Sequence, residues 1–171
     1  MQWGCFMLKK IISGGQTGAD QAALDVAIKM GVPHGGWIPK GRKTESGTLP
    51  DKYLLREMPD DNYAKRTEKN VIDSDGTLIL SHGDLSGGSE LTRVVAQKYK
   101  RPCLHLDLNL RSAFQATQMI KSWIVKNNIE VLNVAGPRES HDPEIYQATV
   151  DILEAALCLD IIDESIPGLS I

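Results

Sequence analysis

Apolar and polar positions along the chain follow two alternating periods. Residues 9–13 form a short run around Ile11 and Ile12 that reads as a strand. Ala19, Ala22, Ala23, Val26, Ala27 and Met30 then fall at the spacing of a helix with one buried face, and Gly31 and Pro33 stop it. Residues 32–38 are a weaker strand candidate. Residues 39–52 are rich in glycine, proline and charge and read as a loop. Residues 61–74 suit a helix on which Tyr63, Arg66, Thr67 and Asn70 recur at spacings of three and four. Residues 77–80 are a short apolar strand bounded by glycines.

The second half repeats the alternation. A glycine segment, 85–89, opens a helix to about residue 100, and Pro102 ends it. Residues 103–106 read as a strand. Residues 112–127 form an amphipathic helix with Phe114, Met119, Ile120, Trp123 and Ile124 expected on its buried side. Residues 131–135 are a strand, and the last helix runs from 143 to about 159 with Asp142 as N-cap and Pro143 at N1. Strands alternating with helices predict a parallel sheet covered on both faces. The expected fold is α/β, a Rossmann-like three-layer αβα sandwich with a mainly parallel sheet. One domain is expected over 1–171, its core at about 9–159, flanked by 1–8 and 160–171. Ligands of such sheets bind beyond the carboxyl ends of the strands.

Composition narrows the function classes. The 171 residues carry 19 positive and 22 negative side chains, a net charge of −3. That removes the bulk attraction behind non-specific nucleic-acid binding. No apolar run reaches membrane-spanning length, and the apolar start, 1–8, is too short for a secretory leader. The three cysteines, Cys5, Cys103 and Cys158, form no C-x-x-C and read as reduced thiols of a cytoplasmic protein. The four histidines, His34, His82, His105 and His141, show no metal-ligand spacing, although His34 and His82 could approach the strand edge.

Candidate chemistry lies in the loops at that edge. Gly14, Gly15, Gln16, Thr17 and Gly18 join the first strand to the first helix. They read either as an anion site, built from helix N–H groups and the Thr17 hydroxyl, or as a tight turn. The segment is neither G-x-G-x-x-G nor a Walker A sequence. Asp20 would repel a phosphate over the same N–H groups, so it is expected to face sugar or pterin-type hydroxyl and amine donors. Ser86, Gly87, Gly88 and Ser89, followed by Glu90 and Thr92, repeat the arrangement before the third helix, which strengthens the anion reading. Arg138, after the last strand, reads equally as a phosphate grip or a solvated side chain. Lys40, Arg42 and Lys43 form the strongest positive cluster and read as a flap over an anionic ligand or a mobile surface loop.

These motifs in this order resemble the molybdenum carrier family. The resemblance rests on residues 13–20, on Gly36-Trp37-Ile38-Pro39, on 66–71 with 73–78, and on 86–92, and it runs from about Lys9 to Leu157. It implies a Rossmann-like protein that binds molybdenum cofactor (molybdopterin), a pterin with a terminal phosphate, without catalysing its chemistry. It also implies a homo-oligomer, dimer or tetramer, with molybdoenzymes as recipients and no structural metal. The wider SLOG group includes lysine-decarboxylase-like phosphoribohydrolases with a P-G-G-x-G-T-x-x-E loop. Here Ser86, Glu90 and Val94 replace its Pro, third Gly and catalytic Glu. Three readings follow. The chain is a carrier for a phosphorylated small molecule, a nucleoside monophosphate N-glycosidic hydrolase using Asp20 or Glu90, or an interaction module with a vestigial site. No pair of catalytic groups stands out, which favours the carrier.

Overall fold

A computed structural model describes residues 8–163. In chain order the elements begin with β1 (Lys10–Ile12), α1 (Ala19–Met30), β2 (His34–Gly35), β3 (Trp37–Ile38), β4 (Lys43–Thr44), β5 (Gly47–Thr48) and β6 (Arg56–Glu57). They continue with α2 (Tyr63–Ile72), β7 (Gly76–Ser81), α3 (Gly87–Lys98), β8 (Cys103–Asp107), α4 (Ala113–Lys126), β9 (Val131–Ala135) and α5 (Ile145–Asp163).

The central sheet has five parallel strands in the order β2-β1-β9-β7-β8. Every residue of β7 is buried, as expected of a strand covered on both faces, which explains its unbroken apolar run. On one face, α1, α4 and α5 pack through Ala23, Val26, Ala27, Ile120, Ile124, Ile152 and Leu153 against Ile11, Leu78, Leu132 and Val134. On the other, α2 and α3 meet through Val71, Val95 and Ala96, with Cys103 of β8 against them. This is a Rossmann-like α/β fold. Its last strand, β9, lies between β1 and β7. The loops after β1, β7 and β9 therefore open side by side at the carboxyl edge.

Local chemistry sets the boundaries. Gly31 ends α1 in the left-handed region, its N–H shared between the carbonyls of Ala27 and Ile28. A reciprocal capping box of Ser112 and Gln115 starts α4. The Asp75 carboxylate accepts from the N–H groups of Glu130 and Val131 at 3.0 and 2.8 Å and ties the start of β7 to that of β9.

Three sequence expectations change. The strand expected over 32–38 is two strands, because Gly36 breaks it at φ 125°; a Cβ there would lie 2.1 Å from the Ser13 carbonyl oxygen. Beyond the break, β3 pairs with β6 in a separate parallel ribbon. Phe114 is 70% exposed. It sits two residues, about 200° around the helix, from Ala116, and the buried stripe of α4 is Ala116, Thr117, Ile120 and Ile124, with Met119 and Trp123 partly buried. The last helix begins at Ile145, after a turn in which the Asp142 carbonyl accepts from the Ile145 N–H, and it continues to Asp163. The apolar start with Trp3 and Phe6 lies outside the described residues. Among the described residues no helix is long and apolar enough to cross a membrane.

The charged segment after β3 is fastened down. Leu49, Tyr53 and Leu55 pack with Leu24 and Ile38 into a second small core. The Arg42 guanidinium donates to the carbonyls of Leu49, Pro50, Tyr53 and Leu55 at 2.9–3.2 Å. Replacing Arg42 with Ala should therefore cost about 1–3 kcal/mol. It should also make residues 40–55 the first region cut in limited proteolysis, with both changes read against the wild-type protein.

Candidate functional site

A cavity of about 270 Å³ opens where the loops after β1, β7 and β9 meet. The first loop contributes Gln16, and the first turn of α1 contributes Asp20. The loop after β7 contributes Ser81, His82, Asp84, Leu85 and Ser86, and α3 adds Gly87, Gly88, Ser89 and Thr92. The loop after β9 contributes Ala135, Gly136, Pro137, Arg138, His141 and Asp142, and α2 reaches in with Arg66 and Thr67. The position is the one that a parallel α/β sheet offers a ligand. The volume is at the small end for a small-molecule pocket.

The two glycine loops differ in what they leave free. In the first, the Asp20 carboxylate accepts from the Gln16 N–H at 3.3 Å and the Thr17 N–H donates to the Gln16 side chain at 3.1 Å. The Ala19 and Gln21 N–H groups donate to the carbonyls of Pro137 and Gln16. Most donors of that turn are thus used within the protein, although no described residue accepts from the N–H of Gly18 or Asp20. In the second, Ser86 caps α3 without a side-chain hydrogen bond, and its carbonyl accepts from Ser89 and Glu90. No described residue accepts from the N–H of Gly87 or Gly88. Nothing lies within 4 Å of where a side chain on either glycine would begin. A bare helix start facing a cavity is an anion site by geometry and dipole.

Arg66 is a site residue that the sequence reading left out. Its guanidinium lies across Gly14, where a Cβ would fall 1.2 Å from Nη1, so only glycine leaves room for it. Nη1 is 3.5 Å from Asp20 Oδ2, and the side chain is 13% exposed. Its Nε is buried and has no hydrogen-bond partner among the described residues. A signal for it existed. Tyr63, Arg66, Thr67 and Asn70 recur on one helix face, and the fold buries Thr67 and Asn70 there. Asn70 holds β3 by hydrogen bonds to the N–H and carbonyl of Trp37, at 2.8 and 3.1 Å. Polar residues on the inward stripe of a helix have internal partners to meet.

His82 and Asp142 form a second pair in the wall, with Nδ1 2.8 Å from Oδ2. His34, the other histidine considered for this edge, instead accepts from the Leu54 N–H at 3.1 Å. The loop after β7 is braced by the Ser81 hydroxyl, which lies 2.7 Å from the Gly83 carbonyl oxygen and 2.8 Å from His105 Nε2, and by the Asp107 carboxylate, which accepts from the Gly83 N–H. Burial, against the charge of Asp107, holds the His105 pKa below its usual value.

Of the residues singled out from sequence, Gln16, Asp20, Ser86, Gly87, Gly88, Ser89, Thr92 and Arg138 line the cavity. Gly14, Gly15, Thr17 and Gly18 shape the loop behind it. Glu90 accepts from Arg93 Nε at 2.9 Å and is not in the wall. Lys40 and Arg42 are not in the wall either, and Arg42 is held on loop carbonyls. Val94, where the phosphoribohydrolase motif has its Glu, is 47% exposed and outside the cavity.

A model of the circularly permutated YpsA SLOG family matches residues 11–157. The chain belongs to that family. This SLOG member is also similar to a solved crystal structure, the "Putative molybdenum carrier protein" of Syntrophus aciditrophicus SB. The two share 62% sequence identity with a TM-score of 0.87, over 88% of this chain and 95% of that one. A comparison with curated proteins finds no significant match.

Burial raises the Asp20 pKa from 3.8 to about 6, against the opposing charge of Arg66 and the N–H groups of Gln16 and Gly14. The native pKa exceeds the unfolded one, so the folded chain keeps a proton that the unfolded chain releases. The resulting stabilisation is full below about pH 4 and is lost as the pH rises through about 6. Carbon-13 NMR of the Asp20 carboxyl should show a midpoint near 6. In Asp20→Asn, stability between pH 4 and 6 should lose this component of its slope.

Proposed function

We propose that this SLOG protein binds and carries molybdenum cofactor, or a similar phosphorylated ring compound, in the cavity at the carboxyl edge of the sheet. The observation that carries the reading is the unmet donor set: the free N–H groups of Gly87 and Gly88 and the buried, unpartnered Nε of Arg66. A terminal phosphate supplies acceptors of the charge and geometry these donors need. The carboxylates of Asp20, Asp84 and Asp142 in the same wall offer acceptors to the amino and ring N–H groups of a pterin. The name of the relative at 62% identity points to the same class of cargo. Among the described residues no cluster of three or more His, Cys, Asp or Glu is placed to hold a metal ion. In this reading the molybdenum is cargo, held by its own organic ligand. The protein would be a cytoplasmic homo-oligomer, dimer or tetramer, that passes its cargo to molybdoenzymes.

One observation favours a second reading. His82, oriented by Asp142 in the wall, has the arrangement of a general base, which suits a hydrolase acting on a nucleoside monophosphate.

Gly88→Asp provides a clean test, since Gly88 has open space around it and no positive φ. It places a carboxylate at the helix start where the phosphate would bind. Molybdenum cofactor should raise the wild-type melting temperature and bind Gly88→Asp at least about tenfold more weakly, with the fold unchanged by circular dichroism. Equal cofactor affinity in the two proteins would remove the phosphate from this helix. Base release from a nucleoside monophosphate, lost in His82→Ala, would replace the carrier with the enzyme.

A further inference from the structure

The β4–β5 hairpin carries Glu45 in its two-residue turn, and the cavity's edge converges on that side chain. The Ser140 N–H donates to Glu45 Oε1 at 3.1 Å, and the Ser140 hydroxyl to Oε2 at 2.5 Å. The Thr17 hydroxyl also donates to Oε1. Its oxygen in turn accepts from the Glu139 N–H at 3.2 Å. Arg138 Nε stands 3.9 Å from Oε2. The Glu45 N–H donates to the Gln16 side-chain oxygen at 2.9 Å.

Three features separate this cluster from an ordinary surface contact. Its donors come from two segments far apart in sequence, the loop after β1 and the loop after β9, and all face one carboxylate. The acceptor comes from a third segment, at the tip of a two-strand hairpin whose own strands are two residues each. Two of the residues that touch Glu45, Gln16 and Arg138, are also cavity wall. Burial opposes ionisation of Glu45, but the hydrogen bonds from Ser140 and Thr17 and the charge of Arg138 outweigh it and hold the carboxyl below its usual pKa. A group of hydroxyl, backbone N–H and guanidinium donors around one anion is the chemistry of an oxyanion site.

We propose that Thr17, Ser140 and Arg138 form an oxyanion subsite continuous with the cavity, which Glu45 fills when no ligand is bound and which an anionic group of the ligand occupies by displacing it. The subsite takes a tetrahedral oxyanion of the sulfate or phosphate class. Displacing Glu45 releases the hairpin tip and lengthens the cavity towards Ser140. A ligand spanning the cavity then meets donors at two places, the start of α3 and this subsite. The inference rests on the cavity being the binding site, as proposed above. It gives the charged segment, read from sequence as a cationic flap or a mobile surface loop, a carboxylate turned towards the site.

Sulfate keeps a constant charge across the working pH range and serves as the probe. Amide chemical shifts of Glu139 and Ser140 would be followed during sulfate titration at fixed ionic strength, in wild type, Glu45→Gln and Glu45→Ala. Glu45→Ala should bind sulfate at these amides about tenfold or more tightly than wild type, with Glu45→Gln in between. Adding Ser140→Ala to Glu45→Ala should remove the gain. Circular dichroism establishes that each variant is folded, and Glu45→Gln, nearly isosteric, serves if the alanine variant is not. Sulfate affinity in the folded Glu45 variants no tighter than in wild type, or no response at Ser140, overturns the subsite. If molybdenum cofactor fails to bind while the sulfate gain is present, the carrier reading falls and the subsite stands. Cofactor binding without the sulfate gain removes the subsite alone.

Discussion

The site depends on a buried guanidinium that the protein only half satisfies. Arg66 enters from α2, crosses Gly14 at a distance no other residue would allow, and meets Asp20 at 3.5 Å. That contact joins the face of the sheet covered by α2 to the loop leading into α1. A buried charge left without full pairing costs stability, and proteins keep such groups where something else uses them. Asp20 is likewise divided between Arg66 and the N–H groups of its own loop. The first glycine loop therefore carries its own anion. In the second glycine loop, across the cavity, no carboxylate accepts from the N–H groups of Gly87 and Gly88.

Sheet order brings these parts together. With β9 inserted between β1 and β7, three successive strands of the sheet end in loops that share one opening. Each loop has a different task. The first holds Asp20 and supports Arg66, the second exposes a helix start, and the third contributes Arg138 and the Asp142 that orients His82. The hairpin at 43–48 reaches the loops after β1 and β9 from outside, where Glu45 accepts from Thr17 and Ser140. The modest net charge of −3 is no obstacle to an anionic ligand, because uncharged N–H groups and one buried arginine make up most of the donor set.

Much of the fold was legible because helices and buried parallel strands leave strong periods. The bounds of α1 and β9 in the structure coincide with those read from the chain. Short ribbons leave no such trace. The two-residue strands β2 to β6 follow backbone approach at Gly36 and the carbonyl contacts of Arg42, neither of which has a period. Phe114 shows the same limit: its spacing from neighbouring apolar residues suggested burial, but it lies off the buried stripe of α4. In the site, the glycines were readable as strand-to-helix punctuation. Arg66, Glu45 and Asp142 were not, because each acts across more than 40 positions of chain or through a partner that only folding brings near. The polar stripe on α2 was the one local clue to Arg66.

The free start of α3, the half-satisfied Arg66, the carboxylates opposite and Glu45 are the features on which the proposed receptor for an anionic ring compound rests. Molybdenum itself gives the most direct check. Crystals grown with molybdenum cofactor can be measured on both sides of the molybdenum absorption edge, and the anomalous difference locates the metal without reference to any assumed pose. A single peak inside the cavity bounded by the loops after β1, β7 and β9 is the predicted result. A peak elsewhere on the protein, with the cavity empty, would contradict the account.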